Sequence, residues 1–254
     1  MFGYDRIPVK QSIYHKVETL ILPTRQEASI FIPLSIKSDE LPRFLKENNI
    51  KLFAWVIYAC LKSVKAYPQL NQFVLNHHLY QNRFHTISTL VKQDKTKVDK
   101  NSSIKLYFDV DSDVLTIQHI LDKEVQSVRN DKIASSDALF KMLSLLPIPI
   151  FKLILVIARF LDSIDLLPNS IIHQDPLHSS LMIANLGSIK GQSVFHHLFN
   201  WGTISIFIAM GEMDTEGSLE LSFTIDERIS EGLIFFKALD YFKDILEHPN
   251  AYYS

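Results

Sequence analysis

Apolar and polar positions change period several times along this chain. In EASIFIPLSIK (27–37) they alternate, as in a half-buried strand. SDELPRFLKENN follows, and a capping hydroxyl at Ser38 predicts a short helix. KLFAWVIYACLKSVKAY (51–67) reads as a mostly apolar helix stopped by Pro68, and residues 75–92 read as a hairpin. A strand is predicted around 104–110. A helix comes next, because Ile117, Ile120, Leu121, Val125 and Val128 recur at helical spacing. Three strands are predicted near the C-terminus, at SLMIANL, TISIFIAMG and SLELSFTID. The middle one is apolar throughout, the pattern of a strand covered on both faces. In the third, Leu219, Leu221, Phe223 and Ile225 alternate with polar residues. Phe235, Leu239, Phe242 and Leu246 then lie on one stripe of a closing helix that ends before Pro249. Mixed strands and helices without repeats or a low-complexity linker predict a single α+β domain over residues 1–254.

Composition narrows the function. The chain has 254 residues, 47% of them hydrophobic and 21% charged, enough for a sizeable core. A formal net charge of -2 with scattered lysines gives no electrostatic footprint for nucleic acid. Cys60, the only cysteine, excludes an intrachain disulfide and any multi-cysteine metal site, and no metal is expected. The N-terminus lacks a secretory pattern, so the expected location is the cytoplasm. Of the seven glycines, six fall between 187 and 232. Glycine serves where backbone turns tightly or approaches another group, so the chemistry is expected in that stretch.

Four segments in order carry a family resemblance. KLFAWVIYACLKSVKAYPQLNQFV, MIANLGSIKG, WGTISIFIAMGEM and LELSFTIDERISEGLIFFKALDYFKDILEHP resemble the acyltransferase core of the 2-oxoacid dehydrogenase complexes and chloramphenicol acetyltransferase, over roughly residues 10–250. The resemblance implies a chloramphenicol acetyltransferase-like mixed sheet flanked by helices. It also implies a homotrimer with active sites between subunits. In such sites a motif histidine is the general base, and a hydroxyl of the facing subunit steadies the oxyanion. Carried over by position, the histidine falls on Glu227, the motif aspartate on Glu231 and its glycine on Gly232, while Arg228 keeps its place. The serine before Asn-Leu-Gly falls on Ala184, with Asn185 next to it in a turn role.

Both chemical groups are therefore altered. An ordinary glutamate titrates roughly 2.7 units below neutrality and is a weak base unless its surroundings raise it. Losing one oxyanion donor typically costs about a hundred- to a thousand-fold in rate, and an alanine side chain supplies none. The loop VFHHLFNWGT offers His196, His197, Asn200 and Thr203 as replacements, with either histidine a relocated base or a packing residue. Glu227 itself is either a base or the partner of Arg228, Arg25 or a neighbouring subunit. Glu231 is expected to brace the base through an ion pair, as the family aspartate does.

A second departure is the apolar segment at 139–172. Pro147, Pro149, Lys152 and Arg159 keep it short of the roughly 18 uninterrupted apolar residues of a membrane span. Between Pro149 and Asp162 a helix would be apolar on nearly every side, which calls for burial, pairing with another subunit, or lipid. The resemblance includes no lipoyl or subunit-binding domain. The expected activity is acyl transfer from coenzyme A or an acyl-carrier thioester, neither tightly held, to an alcohol, amine or lipid acceptor, with peripheral membrane contact through 143–162. The alternative is an inactive trimer that binds or scaffolds.

Overall fold

The computed structural model describes residues 6–92, 101–130 and 145–253. Its main sheet has six strands in the order β2-β9-β8-β7-β5-β6. These are β2 (Ser29–Lys37), β5 (His85–Lys92), β6 (Asn101–Phe108), β7 (Leu181–Asn185), β8 (Ile206–Met210) and β9 (Ser218–Asp226). The β5–β7 and β7–β8 pairs are parallel and the others antiparallel. A small second sheet joins β1 (Arg6–Pro8), β4 (His78–Asn82) and β3 (Gln72–Leu75) in that spatial order. The 75–92 hairpin is thus corrected. Its first half pairs backward with β3, while β5 crosses to the main sheet and pairs with β6 and β7. The buried amides of Asn71 and Asn82, hydrogen-bonded to each other's backbone, mark the place where the chain leaves one sheet for the other.

The helices follow from their stripes. They are α1 (Ile13–Ile21), α2 (Leu41–Glu47), α3 (Leu52–Ala66), α4 (Val114–Arg129), α5 (Ile148–Ser163), α6 (Asn169–Gln174), α7 (Gly232–Glu247) and α8 (Pro249–Tyr252). The expected Ser38 hydroxyl accepts from the Leu41 N–H at 3.1 Å at the start of α2, although Glu40 holds the N-cap position itself, without a side-chain bond. Asp113 caps α4 through the Thr116 N–H at 2.8 Å. Helices α3, α4 and α7 cover one face of the sheet, where Ile183, Ile208, Leu221 and Phe223 meet Trp55, Ile117 and Phe242 in the main core. Strand alternation sends Met182, Ala184, Phe207 and Ala209 to the opposite face. There they form a smaller cluster with Leu198 and Ile204 of the loop that follows β7.

Helix α5 lies where the sequence places it, but it is not core. Asp162 is its only buried residue, while Ile148, Leu153, Val156 and Phe160 are exposed. Burial within the chain is therefore corrected, because no described element covers those side chains. Residues 139–144 of the same segment lie outside the described residues. No helix among the described residues is long and apolar enough to cross a membrane.

Candidate active site

The end of β9 is fixed from both sides. Ser29 to Lys37 pair with Asp226 to Ser218, and the Glu227 N–H extends that ladder to the Ala28 carbonyl at 3.0 Å. A single 3₁₀ turn, Glu227–Ile229, then leads toward α7. Asp226 and Arg228 are both buried and joined in a two-pronged pair, Nε to Oδ1 and Nη2 to Oδ2, each at 2.8 Å. The same guanidinium donates to the Leu22 carbonyl, and Arg25 approaches Asp226 Oδ2 to 3.9 Å. Of the two arginines considered as partners of Glu227, Arg228 is thus paired with Asp226, and Arg25 donates to the Phe199 and Val74 carbonyls. Glu227 is half-buried and has no ion-pair partner in the chain among the described residues.

Two groups invisible to the sequence reading stand beside this turn. Helix α1 starts at an N-cap, with Ser12 accepting from the His15 N–H at 3.1 Å. It brings the His15 Nε2–H to the Arg228 carbonyl and Glu18 close to Glu227. Burial raises the Glu18 carboxyl above its usual range; the charges of Glu227 and Asp226 add to this, against the lowering effect of His15 and Arg228. The available signal was Ser12 ahead of Val17, Leu20 and Ile21, a short amphipathic pattern next to a capping residue. Glu231 is exposed at the N-cap of α7 with no capping bond from its side chain, and it too has no ion pair among the described residues. A Cβ on Gly232 would meet nothing within 4 Å. Nothing among the described residues demands glycine there.

Ala184 belongs to a different place. It lines a cavity of about 350 Å³ with Met182, Phe207, Val194, Phe199 and His196. That volume is at the lower end of ligand pockets, about 300–1,000 Å³, and the walls are mainly apolar. His196 stacks nearly parallel on Phe207 with centroids 4.2 Å apart, and its Nδ1–H donates to the His197 carbonyl at 2.7 Å. This bond leaves the lone pair on Nε2 of His196. His197 is exposed and stacks on His196. The structure therefore brings His196 and Ala184 together and places Glu227 elsewhere in the chain. Asn185 turns away from this cavity: its Oδ1 accepts from the Ser188 N–H, and it lines a second cavity of about 550 Å³ with Lys51 and Arg129. Asn200 accepts from the Gln26 N–H at 3.4 Å. The Thr203 hydroxyl is buried and donates to the Ser179 carbonyl at 3.0 Å, a bond that holds the loop to the sheet.

A buried polar knot supports the cavity wall. His178 lies between Asp175 Oδ2, at 2.8 Å from Nδ1, and Asp162 Oδ2, at 3.4 Å from Nε2, while Trp201 donates to Asp175 at 2.6 Å. Burial opposes charge on His178, but the hydrogen bonds and charges of the two carboxylates prevail and raise its pKa above 6.5. A raised histidine stabilises the fold fully below its unfolded pKa, and the contribution is lost as pH rises through the folded value. The melting temperature of the protein relative to His178→Gln should therefore fall over the range from about pH 6.5 up through the raised folded value. A difference that stays constant over that range would show that His178 is neutral in the folded protein.

No family model and no curated protein matches this sequence. Solved structures do. A probable dihydrolipoamide acetyltransferase from Listeria monocytogenes superposes with TM-score 0.58 at 15% identity, over 95% of this chain and 93% of that one. The dihydrolipoamide acetyltransferase of Azotobacter vinelandii, whose catalytic mechanism has been examined at a serine, a histidine and an asparagine, gives 0.58 at 13% identity over 96% and 98%. A chloramphenicol acetyltransferase gives 0.62 at 10% identity over 95% and 99%. The fold is that of the chloramphenicol acetyltransferase-like acyltransferases, as the four sequence segments implied. On that fold, this chain carries Glu227 directly after β9 and Ala184 in β7.

Proposed function

We propose that this protein moves an acyl group from a coenzyme A or carrier-protein thioester to an alcohol or amine, with Glu227 as the base, at a site shared between subunits of a cytoplasmic homotrimer. One observation carries the reading: Asp226 and Arg228 neutralise each other in the interior, while Glu227 between them has no ion-pair partner among the described residues. A carboxylate in that position can accept the acceptor's proton as the acceptor attacks the thioester carbonyl; the C–S bond then breaks and the proton passes to the departing thiolate. The apolar cavity at Ala184 suits an aliphatic or aromatic group of acyl donor or acceptor. His196 and His197 are the second candidates for the base, with Asn200 and Thr203 as supports of their loop. Arg228, Glu231, Gly232 and Asn185 have supporting roles in the shape of the site. A lipid acceptor and a peripheral membrane contact through 143–162 belong to the same reading; residues 143 and 144 lie outside the described residues.

Ala184 favours a second reading, an inactive trimer that binds or scaffolds, because its side chain offers no oxyanion donor. Two measurements separate the possibilities. Light scattering should give the mass of three chains at micromolar concentration, and a stable monomer would remove the shared site. Release of free thiol from acetyl- and longer-chain acyl-coenzyme A, with simple alcohols and amines as acceptors, should exceed the enzyme-free rate. No turnover with a correctly assembled trimer would favour the inactive reading.

A further inference from the structure

Helix α5 has 16 residues, so it is about 24 Å long, shorter than a bilayer's hydrocarbon thickness of about 30 Å. Its side chains sort into three stripes. Phe151, Ile154, Ala158 and Leu161 are half-buried toward the body of the protein. Ile150, Leu153, Ile157 and Phe160 form an exposed apolar stripe. Lys152 and Arg159, both exposed, lie roughly 130° round the axis from that stripe, among the exposed side chains of Ile148, Leu155 and Val156. From residue 145 to 164 the only carboxylate is Asp162, which is buried and held by His178. The exposed surface of this segment is thus apolar and cationic, with no anion.

The C-terminal end of α5 is rigidly attached. Asp162 meets His178, the Arg6 guanidinium donates to the Asp162 carbonyl at 3.2 Å, and Arg6 pairs with Asp165 at 2.6 Å. We propose that α5 lies in the plane of an anionic bilayer surface, with Ile150, Leu153, Ile157 and Phe160 in the acyl boundary and Lys152 and Arg159 reaching up to lipid phosphates. The charge decides the occupant. Aliphatic stems of lysine and arginine extend along apolar surface while their heads stay at headgroup level, and each cation near an anionic leaflet is attracted to it. A helix too short to span, whose exposed surface is apolar and carries two cations and no anion, is suited to that interface. The inference deepens the proposed peripheral contact but does not depend on acyl transfer. It names the lipid class, the face and the anchor.

The test is flotation of the whole protein with phosphatidylcholine vesicles, with and without phosphatidylglycerol. Wild type should bind the anionic vesicles about tenfold or more tightly than the neutral ones, and high salt should reduce that gain. Lys152→Glu with Arg159→Glu should remove the preference, and Leu153→Glu with Phe160→Glu should abolish binding to both. All four positions are exposed, so circular dichroism should be unchanged. Leu153→Trp and Phe160→Trp, made separately, should be quenched equally by brominated lipids at a shallow depth. Binding that persists in the Leu153→Glu, Phe160→Glu protein would overturn the proposal. So would indifference of wild type to both vesicles, whether or not that double variant alters the oligomer's mass; a mass change would identify a second copy as the cover of α5. Vesicle binding without thioester turnover would support the membrane inference and count against acyl transfer alone.

Discussion

Glu227→Gln should lower acyl transfer by at least about 100-fold, the lower end of what a positioned base contributes, while assembly and binding of the thioester donor stay nearly unchanged. The substitution keeps the size of the side chain and its place after β9, where the backbone is held by Ala28. It removes only the basic oxygen. Because Arg228 is paired with Asp226 and Arg25 donates to backbone carbonyls, the amide breaks no ion pair among the described residues, and a loss of turnover would report chemistry in preference to folding. Glu227→His with Ala184→Ser restores the pair of groups implied by the family resemblance and should extend activity to thiol acceptors. Full turnover in Glu227→Gln, with loss in His196→Ala, would move the base to the cavity histidine, whose Nε2 lone pair is available there. Loss in His197→Ala alone would assign the exposed ring instead.

The largest effect on stability is expected one residue earlier. Asp226→Asn keeps the shape of the side chain but leaves the buried Arg228 guanidinium without its counter-charge, next to a second guanidinium from Arg25. Breaking a buried pair from one side typically costs about 3–5 kcal/mol, because the remaining charge cannot be solvated. For a chain of this size that corresponds to a fall in melting temperature of roughly 10 °C or more. Urea unfolding of Asp226→Asn and wild type checks it. A change below about 1 kcal/mol would mean that water reaches the pair and screens it.

These contrasting roles for adjacent residues show where sequence reading stops. The order Asp226, Glu227, Arg228 singled out a site but left open which carboxylate the arginine would take. The choice is made by burial: Asp226, the last residue of β9, is fully enclosed, pairs with Arg228 and is approached by Arg25, while Glu227 begins the turn that follows. His15 escaped notice because its helix is nine residues long and remote in sequence from the motif it touches. The hairpin at 75–92 was misread because alternation specifies a strand but not its partner. Asn71 and Asn82, far weaker signals, mark the change of sheet. The apolar segment at 139–172 was assigned correctly as a helix from Pro149 to Asp162, yet apolarity alone could not say whether a neighbour in the chain covers it.

What the sequence determined by itself was local and periodic: β2, β7, β8 and β9, the stripes of α3, α4 and α7, the capping role of Ser38 and the ordered motifs that imply the fold. These follow from side-chain spacing against a period of 2 or 3.6 residues, which each segment carries alone. Only the tertiary structure decided that Ala184 and His196 share a cavity, that Asp226 is the carboxylate that pairs with Arg228 and that α5 keeps its apolar stripe exposed. Those outcomes depend on contacts between segments from 12 (Ala184 and His196) to more than 200 residues apart (Arg228 and Leu22), and no local pattern encodes which of several chemically suitable partners will be brought within reach.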